Sequence, residues 1–352
     1  MGAEPQGVDL TAYLTEKMGA EDLKVLKMSR VEQGMSADTF FLDLAYTKNN
    51  EKVREEIVIR REPSGGILET YDLSKEFNLL GALKAAEVAV PRVLWYEPST
   101  EAFERPFYAM EKVEGEVGNV DPRRPSKLMF SEQERPTLAR DFVSNIVKTH
   151  SFDWRNSPLV FPDSGGDESE ALIRQIERHE EVIARAGYRS HPIIALGINW
   201  LKQNAPEIDE LCIVHGDYRV GNFISEDGRI RAVIDWELAH LGDPHEDLAF
   251  ILSPAWRSAE EGLVSHLMTE AEFLQQYQEM SGRVVDPYKL MYFGAIIVLR
   301  GLDIMCSCAK NFSEGQSTDL RDGIHAMTVE SLLEVLLLVL SMLTMSQDGG
   351  AV

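Results

Sequence analysis

Up to about residue 110, apolar and polar positions alternate in short runs rich in aromatic and β-branched residues; beyond about 136 the apolar positions recur every three to four residues. The first pattern predicts strands over Val25–Val31, Thr39–Tyr46, Glu56–Arg60, Val93–Tyr96 and Phe107–Met110. A polar turn at Lys48-Asn49-Asn50-Glu51 makes a hairpin of the second and third. A helix over LTAYLTEKMG, capped by Asp9 and ending near Gly19, precedes them. Another, ETYDLSKEFNLLGALKA, interrupts them with Leu73, Phe77, Leu80 and Leu83 on one face and Asp72 or Thr70 as its cap. The second pattern predicts helices over 136–150, 168–187, 190–204, 258–281, 286–309 and 319–346. Strands at 211–214, 222–225 and 230–234 break it, the last two joined by a turn at Glu226-Asp227-Gly228.

The expected fold class is therefore α+β with two lobes: a small β-rich lobe over 1–112 and a larger, mainly α-helical lobe over 113–352. The change of character falls around Glu111–Gly115, and a Gly-, Pro- and charge-rich stretch follows it. A chain of 352 residues is long enough for both. No internal repeat interrupts the division.

Charge changes the picture more than size does. Asp and Glu number 58 against 35 Lys and Arg, a net charge of −23, which argues against a nucleic-acid partner. Such a field can steer a cationic substrate, or it is the ordinary acidity of a soluble cytoplasmic protein. Cys212, Cys306 and Cys308 form neither a disulfide framework nor a metal-ligand pattern, consistent with inert thiols in a reducing compartment. The first ten residues, MGAEPQGVDL, lack the basic and apolar regions of a signal peptide, and Gln6 stands where a myristoylation pattern needs Ser or Thr. LLEVLLLVLSMLTM at 332–345 is the one stretch that suggests a membrane. It is too short to span one and carries Glu334, so it is expected to be a buried terminal helix or a homodimer contact.

The chemistry concentrates in 213–247, IVHGDYRVGNFISEDGRIRAVIDWELAHLGDPHED. Asp217 and Asn222 have the D-x-x-x-x-N spacing of a kinase catalytic loop, and Asp235 closes the next apolar strand. In that chemistry Asp217 takes the proton of an attacking hydroxyl, while Asn222 and Asp235 offer hard oxygens to Mg²⁺. The competing reading, turn-forming Asp and Asn around a hairpin, has to explain three such residues at once. His215 is either a ligand or base, or a brace for the loop. Asp247 either accepts backbone N–H bonds from that loop or caps a helix. In the small lobe, Gly34 and Ser36 sit in a turn that covers phosphates or merely joins two strands. Arg60 ends a strand whose Ile57 and Ile59 face the other way, and Glu76 follows on the helix. They form either a phosphate-holding cation with its carboxylate partner or a surface pair.

With these residues in place, the chain resembles the aminoglycoside phosphotransferase family of small-molecule kinases, which share the protein-kinase-like fold. HGDYRVGN at 215–222, VIDWE at 233–237 and LGDPHEDLA at 241–249 carry the resemblance. EQGMSADTF at 32–40, VIRREPSG at 58–65 and FYAMEKVEG at 107–115 resemble the branch found near acyl-CoA dehydrogenases. The resemblance implies Asp217 as base, Asn222 and Asp235 as Mg²⁺ ligands, and Arg60 with Glu76 on the phosphates of ATP or GTP. It further implies Glu111 and Val113 as hinge residues bonding a purine, Met110 on the pocket wall, and Glu237 as an orienting or acceptor contact. Arg60 departs from the lysine of many members, replacing a point charge with a planar fork. Trp236 departs from the phenylalanine of the protein-kinase triplet, and no glycine follows it, which suits a small acceptor rather than a protein. The expected reaction is Mg²⁺-dependent phosphoryl transfer from ATP or GTP to a hydroxyl of a small molecule, a hydroxyacyl-CoA-like metabolite or an aminoglycoside. The rival is a pseudokinase that holds nucleotide without turnover.

Overall fold

The computed structural model describes residues 10–31, 37–63, 72–118, 129–161, 168–188, 190–259, 261–316 and 320–347. Contacts divide the chain into two compact units. The first is Met1–Gly115 together with Arg231–Glu237; the second is Glu116–Ile230 with Leu238–Val352. The fold is mixed α+β.

The first unit contains α1 (Leu10–Met18), β1 (Glu21–Arg30), β2 (Asp38–Lys48), β3 (Glu51–Arg61), α2 (Leu73–Ala85), β4 (Val93–Glu97) and β5 (Phe107–Glu111). The strands form one antiparallel sheet in the order β1-β2-β3-β5-β4. Asn49 and Asn50 turn the β2–β3 hairpin with φ of 52° and 63°, the left-handed pair that matches strand twist. Its register then pairs Lys48 with Glu51 and Asp38 with Arg61. Alternation puts Phe40, Leu42, Leu44, Ile57 and Ile59 into a core with Leu14, Phe103 and Phe107. Arg60 projects from the opposite face of β3. Asp72 caps α2 by accepting from the Lys75 N–H at 3.1 Å. Leu73, Leu79, Leu80 and Leu83 are buried on α2 with Glu76 among them, whereas Phe77 is only half-buried, its ring 6.1 Å from those of Tyr96 and Tyr108.

The second unit holds β6 (Glu116–Val117), α3 (Arg135–His150), α4 (Ala171–Arg185), α5 (Pro192–Gln203), β7 (Cys212–Val214) and β8 (Phe223–Glu226). Strand β9 (Arg229–Val233) leads from this unit into the returning segment of the first. There follow β10 (His240–Gly242), α6 (His245–Ile251), α7 (Glu270–Ser281), α8 (Pro287–Ser313), α9 (Leu320–Ala326) and α10 (Val329–Gln347). The main core packs α4, α5 and α10 around α8 through Ile176, Ile198, Leu201, Ile296, Leu299, Leu336 and Leu340. Gly197 permits the approach of α5 to α10, since a Cβ there would lie 2.8 Å from the Leu336 side chain.

Three expectations are corrected. The helix expected from 258 begins only at Glu270, where Thr269 and Glu272 form a capping box. Residues before it turn instead, with left-handed backbone at Gly262, Ser265 and His266. The helix expected over 319–346 breaks at Met327-Thr328 into α9 and α10. Finally, 332–345 is not the one suggestive stretch: it is part of a longer helix, and among the described residues both α8 and α10 are long and apolar enough, by length and composition alone, to cross a membrane. Both also bury one face in the core of the second unit. Helix α6, seven residues inside a polar motif, has no apolar periodicity that would have announced it.

Candidate functional site

In the first unit, three carboxylates surround one buried cation. Arg60 reaches Glu76 at 3.4 Å, Asp235 at 3.6 Å and Glu237 at 3.3 Å. Burial opposes the guanidinium charge, but these neighbours outweigh it and hold the pKa of Arg60 well above its ordinary value. Burial pushes Glu76 upward, with Arg60 offsetting only part of the rise. Arg60 Nε is buried with no hydrogen-bond partner among the described residues, so the fork keeps one donor in reserve. Asp235 stands at φ 70°, a left-handed conformation that costs an L-residue energy and collects at working sites. Its side chain is 35% exposed.

Met110, Glu111 and Val113, all half-buried, lie where β5 ends. The Glu111 N–H donates to the Arg92 carbonyl at 2.9 Å, so a purine contact at this residue would be made by its carbonyl. The Glu111 side chain accepts from Arg92 N at 2.8 Å and stands 3.5 Å from Lys84 Nζ, tying β5 to the β4 side of the sheet. Gly34 and Ser36 lie outside the described residues.

In the second unit, the loop leaving β7 carries the base candidate. Asp217 Oδ1 accepts from Arg219 Nε at 2.9 Å and Oδ2 from Asn222 Nδ2 at 2.5 Å. Asn222 Nδ2 also donates to the Asp217 carbonyl at 2.8 Å, which leaves its Oδ1 directed away from the carboxylate. The D-x-x-x-x-N spacing thus closes a local ring in which the two side chains orient each other. His215, fully buried, accepts the Asp217 N–H on Nδ1 at 3.1 Å. That contact ties the imidazole to the loop backbone.

Asp247, on α6, fixes the loop from beneath. Its carboxylate accepts from His215 N at 2.7 Å and Gly216 N at 2.9 Å, and bonds His150 Nε2 at 3.1 Å. Burial would raise its pKa, but the His150 and His215 contacts win and hold it below the usual carboxylate range. His150 passes the contact on to Tyr277 of α7 at 2.9 Å. Gly216 sits at φ +84°, and a Cβ on it would come within 2.9 Å of the Leu238 carbonyl, so both backbone and space require glycine.

Sequence reasoning passed over Arg219, whose guanidinium lies 4.4 Å from the Trp256 ring as well as on Asp217. It also missed Asp243, which accepts from His245 N at 2.8 Å and contacts its Nδ1 at 2.6 Å, and the buried Glu246–Arg300 pair. Two successive acids at 246–247 beside two histidines at 240 and 245 were the available signal. Among the described residues no three His, Cys, Asp or Glu side chains converge into an all-protein metal cage. The Asp235 carboxylate in the first unit and the Asn222 amide oxygen in the second are each, taken singly, the kind of oxygen donor that Mg²⁺ accepts.

The profile of the Phosphotransferase enzyme family (APH) matches residues 27–289. The chain belongs to that family, and its fold is the kinase-like one of the aminoglycoside phosphotransferases. Among curated proteins it is 31% identical over 244 residues to acyl-CoA dehydrogenase family member 10 of Mus musculus, covering 68% of this chain and 21% of that protein. It is 29% identical over 249 residues to family member 11 of Rattus norvegicus, covering 69% and 30%. The chain thus spans less than a third of the length of these relatives. A Ralstonia eutropha structure assigned provisionally to the aminoglycoside phosphotransferases superposes with a TM-score of 0.71 at 23% identity, covering 95% of this chain and 97% of that one. The gentamicin complex of APH(2″)-IIa superposes at 0.58 with 16% identity, over 95% and 97%.

Proposed function

We propose that the chain transfers the γ-phosphoryl group of ATP to a hydroxyl of a small molecule, with Asp217 as general base. The observation that carries this reading is the Asp217 carboxylate, oriented on one oxygen by Arg219 and on the other by Asn222, on a loop whose backbone Asp247 clamps. In the reaction the acceptor oxygen bonds to phosphorus, the bond from the γ-phosphorus to the bridging oxygen breaks, ADP leaves, and the hydroxyl proton passes to Asp217. Arg60, steadied by Glu76, is the cation for the donor phosphates, and its reserve N–H supports that role. Asn222 and Asp235 would hold Mg²⁺, which when bound neutralises phosphate charge. Glu111 and Val113 would meet the purine through their backbone, and Met110 would line its pocket.

For the acceptor we put hydroxyacyl-CoA thioesters first, a choice supported by the naming of two relatives for acyl-CoA dehydrogenation. The aminoglycosides of the solved neighbours come second. The test is thermal shift with ATP and GTP, with and without Mg²⁺, followed by ATP consumption against both acceptor classes. Asp217→Asn should keep the nucleotide-dependent shift and lose turnover by about a hundredfold or more. Unchanged turnover in that variant would remove Asp217 from the mechanism, and a shift without any turnover in the parent chain would make the protein a pseudokinase.

A further inference from the structure

Asp247 holds one side of the loop that presents Asp217; a second buried charge holds the other. Arg300, in the middle of α8, donates through Nη2 to the Gly216 carbonyl at 2.5 Å and through Nη1 to Glu246 Oε1 at 2.9 Å. The other carboxylate oxygen of Glu246 accepts from Gln175 of α4 at 2.8 Å and contacts His240 Nε2 of β10 at 3.1 Å. Glu246 is fully buried and Arg300 nearly so, its guanidinium 5.4 Å from the Phe250 ring. We propose that Glu246 and Arg300 are positioning residues for phosphoryl transfer, which set the direction of Asp217 by fixing the carbonyl of the residue before it. The inference rests on the role of Asp217 given above.

The physical case begins with what such a pair does not do. A buried ion pair recovers little more than its own desolvation, and well-packed apolar residues of similar volume commonly serve stability as well or better. What apolar residues cannot do is hold a peptide group. Gly216 has no side chain to anchor it and stands at φ +84°, where glycine is freest to move. Its N–H is bound by the Asp247 carboxylate and its C=O by the Arg300 guanidinium. With both charge-assisted contacts made, neither the peptide before Gly216 nor the one after it can rotate without breaking a strong bond. Asp217 is the next residue, so its carboxylate inherits that orientation. Only a fork serves here, because Arg300 spends one nitrogen on Glu246 and the other on the loop. Glu246, on α6, is in turn steered by groups from α4 and β10, so with α8 four elements converge on one carbonyl.

Charge removal separates positioning from stability. Arg300→Met and Glu246→Gln each strand a buried partner and should lower the melting temperature. The double variant strands neither charge, leaving the Gly216 carbonyl as the group that loses its donor, and should recover most of the loss. Deuterium exchange of the segment 213–222 should nevertheless remain about tenfold faster in the double variant, with exchange in α10 unchanged. Mg·ATP-dependent phosphorylation of the acceptor found above should stay ten- to a hundredfold down in kcat, with KM for ATP within about twofold. Arg300→Lys, which keeps the charge but not the fork, should behave like the double variant in kcat. Recovery of loop protection and kcat together with melting temperature would overturn the proposal. If the parent chain phosphorylates nothing, the reading of its function fails, and the exchange comparison alone still decides whether Arg300 and Glu246 hold the loop.

Discussion

Asp235→Gly should separate the stability of the first unit from its chemistry. At φ 70° an L-residue pays roughly 1 kcal/mol that glycine does not, although glycine returns about 0.5–1 kcal/mol through the greater freedom of its unfolded chain. The carboxylate stands 3.6 Å from Arg60 and is 35% exposed, so the lost attraction is worth only about 0.5 kcal/mol after solvent screening. Against that loss, Asp235 crowds Glu76 and is one of the charges that push its pKa up, so its removal relieves part of a like-charge contact. Glu76 and Glu237 remain to compensate Arg60. These terms nearly cancel, and the unfolding free energy should change by no more than about 1 kcal/mol in urea titrations. Turnover should fall by about a hundredfold or more, and the Mg²⁺-dependent part of the ATP-induced thermal shift should vanish. Asp235→Asn, whose side chain also tolerates this backbone, controls for strain. A loss of more than about 2 kcal/mol in the glycine variant would show that the carboxylate is there to build the unit. An intact Mg²⁺ response would show that it binds no metal.

Asp247→Asn should be costly in the opposite way. The carboxylate serves two backbone N–H groups and His150 in a site with no exposure, and an amide turns one accepting oxygen into a donor. A loss of about 2–4 kcal/mol is expected in urea denaturation, and a value under about 0.5 kcal/mol would mean that the loop does not depend on this contact. Stability should also depend on pH through Glu246 and His240. Burial favours neutral Glu246, but His240 and Arg300 outweigh it and bring the pKa down to about 2. Since the folded value lies below an unfolded one of about 4.3, its contribution is present above that pH and lost as pH falls toward 2. Burial works against the charged form of His240, yet Glu246 raises its pKa, so that contribution is complete below about 6.5 and decays as pH rises through the raised value. Urea midpoints measured from pH 3 to 9, a range of about six units, should show both limbs flattened in Glu246→Gln. Superimposable profiles for the two proteins would refute the coupling.

What could be read before the fold was known follows from how far apart interacting residues lie in the chain. The β2–β3 hairpin was legible because two consecutive asparagines set its turn, and the Asp217–Asn222 ring because five residues span it. Both are local, so spacing alone implies contact. Glu237 shows where that reasoning thins. Proximity to Asp235 marked it as a loop-orienting or acceptor residue, and spacing did not show that it also contacts Arg60, 177 positions away. Arg300 shows where it stops. Nothing in an apolar helix of 27 residues distinguishes a buried arginine that grips Gly216, 84 positions earlier, from one that reaches solvent. The misjudged start of α7 has a similar cause, because helical spacing of apolar residues through 258–268 also serves a buried turn, and only the left-handed residues 265 and 266 decide between them. Candidate carboxylates and amides were therefore visible where they organise their own loop, and hidden where distant helices organise it for them. The same division bears on the proposed function: its reaction class is argued from local motifs, whereas residues that would choose an acceptor are brought together only by the packing of distant helices.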